Sequence, residues 1–248
     1  MEYTISARDK KAGQPIQQFI NQNFNDIPLE QISSFFGFTT YTSLYGGRIW
    51  NDRLINGAEI SAYDIRSMYK MNINLRLPLT NHHASLEEYK ENIPFLEKYY
   101  RPGNAIITTN EDLARWIRSD FPDYHLEASV IKNILSLKKI EEAAKIYDTV
   151  VLPMSANQNE AFLNSIEDKS IIRLFANAGC ALTCPSKMCY PSISKANKVK
   201  DSSLFQCSQE IKNRELLGMI DFDLEYLQEL GFHRFKLLRS KKNGMTGH

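Results

Sequence analysis

The chain has 248 residues, 43% of them apolar, and 30 Lys plus Arg against 29 Asp plus Glu give it a net charge of +1. A chain this long buries roughly three quarters of its unfolded surface and does not need a metal in order to fold, and its near-neutral balance supplies no global field for nucleic acid or an anionic membrane. No apolar run approaches the ~20 residues of a membrane span, and Met1-Glu2-Tyr3-Thr4 lacks the charged start of a secretory signal, so the cytosol, with reduced thiols, is the expected compartment.

Residues 1 to 36 are polar and rich in Gln and Asn, with Ile16, Phe19, Ile20 and Phe24 at helical spacing. They are expected to form a helical extension ahead of a main domain spanning 37–248. From there short apolar runs alternate with amphipathic stretches. The strand candidates are Phe38–Leu44, Ile73–Leu79, Ala105–Thr109, Leu126–Val130, Thr149–Leu152, Ile171–Ala176 and Phe232–Leu238. Between them fall helix candidates at Ile60–Tyr69, Leu86–Tyr99, Asp112–Ser119, Leu137–Tyr147, Glu160–Ile166 and Leu224–Leu230. Strands alternating with helices at this pitch imply βα units and a parallel sheet covered on both faces. Gly46-Gly47-Arg48 is a glycine pair and not G-x-G-x-x-G, which removes the main support for a dinucleotide fold. The expected fold is therefore an α/β, TIM-like (β/α) barrel, and since no eighth strand is found after Arg239, where the chain reads as a frayed tail, it is either incomplete or closed by another segment.

In such a barrel the chemistry sits at the C-terminal strand ends. Thr80-Asn81-His82-His83, Asn110, Ser155 with Asn157, and Asn177 occupy those positions, although polar residues there also cap the helices that follow.

The four cysteines of the chain, Cys180, Cys184, Cys189 and Cys207, crowd into one window. Three of them in C-x3-C-x4-C order are too close for easy disulfide pairing, whereas four thiolates from one loop can hold a zinc ion or an iron–sulfur cluster. Zinc ribbons use paired C-x2-C knuckles, which are missing here, so a cluster is favoured over zinc. Gly179 permits tight backbone approach, Pro185 ends any helix and shields one face, and Cys207 arrives from a separate segment. Buried free cysteines are the bland alternative. Radical chemistry with S-adenosylmethionine is another, but its usual loop is C-x3-C-x2-C near the first strand, and a fourth thiolate would fill the iron that this cofactor needs open.

Asn177-Ala-Gly-Cys180-Ala-Leu-Thr-Cys184-Pro-Ser-Lys, Cys189, Cys207 and the later Asp223-Leu-Glu-Tyr-Leu-Gln-Glu-Leu-Gly231-Phe-His-Arg-Phe-Lys236 resemble the collagenase-like peptidase family over roughly residues 37 to 239. The resemblance implies a barrel with a [4Fe–4S] cluster held by the four cysteines. It also implies oxygen-independent hydroxylation of the kind performed on ubiquinone precursors and on tRNA or rRNA bases, and a related barrel protein as a heteromeric partner. Asn177-Ala178-Gly179 stands where the family has His-Gly-Ala, and Lys236-Leu-Leu-Arg239 where it has Lys-Ile-Glu-Gly-Arg, so the chain reads as a divergent, minimal member whose substrate does not carry over.

His82 and His83 are candidate acid–base or substrate-contacting groups, with Asn177 beside them as a third catalytic candidate. Arg76, Glu127, Arg173 and Lys236 fall inside strand candidates, where ionised groups must face a polar interior, either as a substrate-binding set for an anion or as a structural network. Trp50 and Trp116 are assigned to packing. No Ser-His-Asp order with a nucleophile elbow supports proteolysis. The expected function is redox or hydroxylation chemistry on a small or nucleobase-like substrate, and the rival is a non-enzymatic assembly module with a structural four-cysteine metal site.

Overall fold

The computed structural model describes residues 1–47, 60–184, 186–209 and 220–238. The expectations placed on Arg48, Trp50, Pro185 and the tail from Arg239 lie outside the described residues. Eight parallel strands close into a barrel: β1 (Glu2–Ser6), β2 (Ile32–Phe36), β3 (Asn74–Leu79), β4 (Ala105–Thr108), β5 (His125–Ala128), β6 (Thr149–Val151), β7 (Ile172–Phe175) and, last in the chain, β10 (Arg234–Leu237). Neighbours in sequence are neighbours in space, and β10 pairs with both β7 and β1 to shut the cylinder. A two-stranded antiparallel ribbon, β8 (Asn177–Ala178) with β9 (Ile220–Asp221), continues past the end of β7.

Helices cover the outside. They are α1 (Ile16–Asn23), α2 (Ala62–Lys70), α3 (Leu86–Glu91), α4 (Ile93–Tyr99), α5 (Glu111–Asp120), α6 (Leu137–Ala144), α7 (Glu160–Asn164), α8 (Cys189–Val199) and α9 (Leu224–Glu229). Their starts are written locally. Ser61 and Ser85 form reciprocal capping boxes with Asp64 and Glu88, and Asn110, Ser136, Asn159 and Asp223 each accept a backbone N–H of the first turn. Leu75, Leu77, Ile106, Leu126, Val150, Ile172, Leu174 and Phe235, fully buried, face these helices from the strands. Trp116 packs on this core with its ring centroid 5.6 Å from that of Tyr89.

Two expectations are corrected. The segment 1–36 is not an extension, because it supplies β1 and β2 and so two of the eight staves. Its helix does form, with Ile16, Phe19 and Ile20 buried, but as the crossover between those strands. The strands went unrecognised because their inward positions are polar: Thr4 Oγ1 and Ser34 Oγ lie 2.8 Å apart inside the barrel, so neither strand reads as an apolar run. Conversely, Phe38–Leu44 is irregular chain and not a strand. Its apolar ends are buried as a cover on the barrel end, and Leu44 O accepts the N–H of Asn81 at 2.9 Å. The glycine pair that follows serves this packing: a Cβ on Gly46 would lie 2.4 Å from Thr80 O and 2.6 Å from Asn81 Cα.

Candidate functional site

The interior of the barrel carries a charged layer where an apolar one is usual. Glu127, fully buried on β5, is the hub: Oε2 lies 3.1 Å from Arg76 NH1 and Oε1 lies 2.9 Å from Lys236 Nζ. Arg173 Nε sits 3.3 Å from Glu127 Oε2 but makes no hydrogen bond, so that contact is ionic only. Arg173 also donates to Thr4 Oγ1 at 2.5 Å and to Glu2 Oε1 at 2.9 Å, and Arg76 Nε donates to Ser34 Oγ at 2.6 Å. Burial would raise the Glu127 carboxyl, but Lys236, Arg76 and Arg173 outweigh it and hold the group well below the usual carboxylate range. Burial and then Arg173 push Arg76 down to about 10. The four residues expected to bind substrate therefore act first on one another, and of the four only Lys236 reaches the cavity at the C-terminal mouth.

That cavity, of about 210 Å³, is walled by Phe36, Phe38, Met154, Phe175 and Leu238, with Ser6, Thr80, Ser129 and Lys236 among its polar groups. All four cysteines line it. They arrive on three pieces of backbone. Cys180 follows β8, and the chain then turns back on itself, with Leu182 N donating to Gly179 O at 2.9 Å and Cys184 N to Cys180 O at 3.1 Å. Cys189 is the first residue of α8. Cys207 comes from beyond the far end of that helix, on a strand of chain tied back to it where Gln206 N donates to Ser192 Oγ at 3.1 Å.

The thiols are half-buried, and backbone amides point at two of them: Lys187 N donates to Cys184 Sγ and Gln209 N to Cys207 Sγ, each at 3.4 Å. Such N–H···S contacts are what a thiolate cluster uses to offset its charge. On Cys184, burial works against ionisation, but the Ser208 hydroxyl, the backbone amides of Lys187 and Ser186 and the Gln209 side chain lower the thiol below its ordinary value. Cys189 goes the other way, pushed up to about 11 by burial and then by Cys184, Cys207 and Cys180. Among the described residues no group of three or more His, Cys, Asp or Glu side chains stands arranged to hold a metal ion, although all four thiols line the one cavity. The donor chemistry fits a soft metal or an iron–sulfur cluster.

His82 and His83 follow β3 at the same barrel end, but neither lines the cavity. His82 Nδ1 lies 2.8 Å from Ser194 Oγ on α8, and burial, then His83 and Lys132, lower its imidazole below the ordinary value. His83 N donates to Asn81 Oδ1 at 2.9 Å. Asn177 accepts the N–H of Leu238 at 2.9 Å and pairs with Asp221, fastening the exits of β7 and β10. None of the three catalytic candidates lines the cavity: His82 contacts α8, Asn177 fastens the strand exits, and His83 is held through its backbone N–H to Asn81. Asn110 caps α5, and Asn157 donates to Phe175 O at 2.8 Å.

No family model and no curated protein matches the chain. Among solved structures, the U32 peptidase Mk0906 superposes with a TM-score of 0.65 over 98% of this chain and 94% of that one, at 9% sequence identity. The likeness is one of fold. It agrees, at the level of the barrel, with the collagenase-like resemblance carried by the cysteine window and the Asp223–Lys236 segment.

Ser6 and Phe36, which complete the cavity, were missed in the sequence because they sit at the ends of the two unrecognised strands. Their signal was available: Glu2, Thr4 and Ser6 alternate with Tyr3 and Ile5, the period-2 pattern of a half-polar strand.

Proposed function

We propose that this is a four-cysteine iron–sulfur barrel protein carrying out redox chemistry of the oxygen-independent hydroxylase class on a small or nucleobase-like substrate. The supporting observation is that Cys180, Cys184, Cys189 and Cys207 line the same cavity that Lys236 enters from the barrel interior. A metal that only stapled a loop would not have to share its walls with a substrate-sized space at the strand ends, where barrels place their chemistry.

In this reading the four cysteines hold a [4Fe–4S] cluster, which supplies one-electron transfer when bound, with zinc as the competing metal. The amides of Lys187 and Gln209 orient the sulfurs of Cys184 and Cys207. Phe36, Phe38, Met154 and Phe175 exclude water from the substrate space, and Ser6, Ser129 and Lys236 offer it polar contacts. The location is cytoplasmic, and a related barrel protein is the candidate heteromeric partner. None of the described helices is long and apolar enough to cross a membrane.

Anaerobic purification tests the proposal. A brown protein absorbing broadly near ~400 nm, with about four iron and four sulfide per chain, is expected. A colourless protein holding one zinc per chain, with wild-type folding lost on chelation, would transfer the reading to a structural metal site in an assembly module.

A further inference from the structure

The charged layer does not balance. Arg76, Arg173 and Lys236 are buried cations, with side chains 7%, 0% and 6% exposed, and Glu127 is the carboxylate buried among them. Glu2 reaches Arg173 from the N-terminal side but is also paired with Arg234, at 3.4 Å, so four cations face two carboxylates and the surplus stays at two. The remaining contacts of Arg76 and Arg173 in this layer are hydroxyls, Ser34 and Thr4, which carry no charge. Glu2 and Arg234, 33% and 26% exposed, line with Arg76 a polar pocket at the N-terminal end where water and ions screen them, and uncompensated charge draws a counter-ion at each point one can reach. On the cavity side that point is Lys236, whose ammonium lies 4.5 Å from the centre of the Phe36 ring, at the floor of the mouth cavity. A second observation marks the same space: Thr80 lines it, is 3% exposed, and its Oγ1 has no hydrogen-bond partner among the described residues.

We infer that the mouth cavity takes a small amphipathic anion, its carboxylate or phosphate head against Lys236 and within reach of the Thr80 hydroxyl, its apolar body on Phe36, Met154 and Phe175. Lys236 is then the residue that selects for charge, and Glu127 positions it. The inference rests on the cavity being the substrate site, as proposed above, but not on the identity of the metal. It narrows the substrate to one bearing a negative charge, which a free nucleobase does not.

Calorimetric titration of the anaerobically purified full chain at low salt tests this, with benzoate, phenyl phosphate and the neutral benzyl alcohol as probes. At least one anion should bind ten-fold or more tighter than benzyl alcohol, and whichever does identifies the head group. Lys236→Met should abolish the preference and Lys236→Arg should retain it, while Thr80→Val should weaken anion binding several-fold. Because Lys236→Met removes a surplus cation, it should fold; should it not, the Thr80→Val titration and the rise in melting temperature that the anion alone gives wild-type protein still decide. Equal binding of the three probes, or an anion preference surviving in Lys236→Met, overturns the inference. The absorption band near ~400 nm, read on the same preparation, reports the cluster separately: anion selectivity without the band sinks only the cluster, and the band without selectivity sinks only the anion site.

Discussion

The two ends of the barrel interior are built on opposite principles. Toward the N-terminal end, polar groups satisfy one another: Arg234 donates to Thr149 and to Ser170 O at 3.1 and 2.8 Å, Arg118 pairs with Asp148 at 2.6 Å, and Ser33 donates to Glu2 at 3.0 Å. At the mouth, apolar walls surround thiols, a buried ammonium and the Thr80 hydroxyl, which has no hydrogen-bond partner among the described residues. The first arrangement closes a fold, and the second leaves groups waiting for something. Conserving stability and spending it on binding are thus separated along one axis, with Glu127 at the boundary.

That boundary is the place to break the contrast. Glu127→Gln keeps the volume but strips Arg76, Arg173 and Lys236 of their common carboxylate, leaving buried cations uncompensated. A loss of about 3–5 kcal/mol is expected in urea unfolding. A loss below about 1 kcal/mol would mean that water or an anion from the mouth already compensates the layer.

At the mouth, the proposed function predicts that Cys184→Ser abolishes metal binding and any redox activity while leaving far-UV dichroism unchanged, since a barrel of this size has core enough without a metal. Global unfolding of that variant, matched by unfolding of metal-free wild type, would erase the difference between the two ends by making the cysteine site structural as well.

Acid tests the N-terminal end alone. Burial raises the Glu2 carboxyl, but Arg173 beside it, with Arg234 and Ser33, brings it down to about 2 from 4.5. A carboxyl lowered on folding stabilises above its unfolded value and loses that contribution as the pH falls toward the folded one, here between about 4.5 and 2. His125, bonded to Thr149 Oγ1 at 2.7 Å, is pushed down to about 4 by burial and then Arg76, against Asp148 and Glu127. It is neutral in the fold, and its contribution is lost on acidification from about 6.5 toward 4. Melting temperature should therefore fall in two stages below neutrality, and His125→Gln should flatten the upper one. An unchanged upper stage in that variant would place the titration elsewhere.

How much of this was legible in the chain depended on whether a residue's neighbours were apolar. Strands such as Ala105–Thr108 and Ile172–Phe175 are buried on both faces and read as apolar runs, so six of the seven strand candidates stand. Glu2–Ser6 and Ile32–Phe36 failed to register because a charged interior demands Thr4 and Ser34, and nothing local announces that the partners, Arg173 and Arg76, lie 169 and 42 residues away. The spacing of the cysteines singles out their window, and the structure brings all four to one cavity wall. The place of the histidines is not written in the sequence, since an imidazole at a strand end has the same signature whether it faces the cavity or, like His82, the helix behind it.

The smallest effects belong to those histidines. His82→Ala deletes the contact to Ser194 and frees α8 at the turn beyond Cys189, for which a cost of about 1 kcal/mol is expected, with metal affinity reduced and the pH profile of any activity unmoved. His83→Ala should be neutral within about 0.5 kcal/mol, because the structure ties His83 through its backbone N–H to Asn81, and a side-chain change leaves that bond in place. The pair thus separates support from chemistry. A large fall in turnover from His83→Ala, with stability and metal content intact, would bring that imidazole back to the reacting centre and require the loop to close over the mouth when substrate binds.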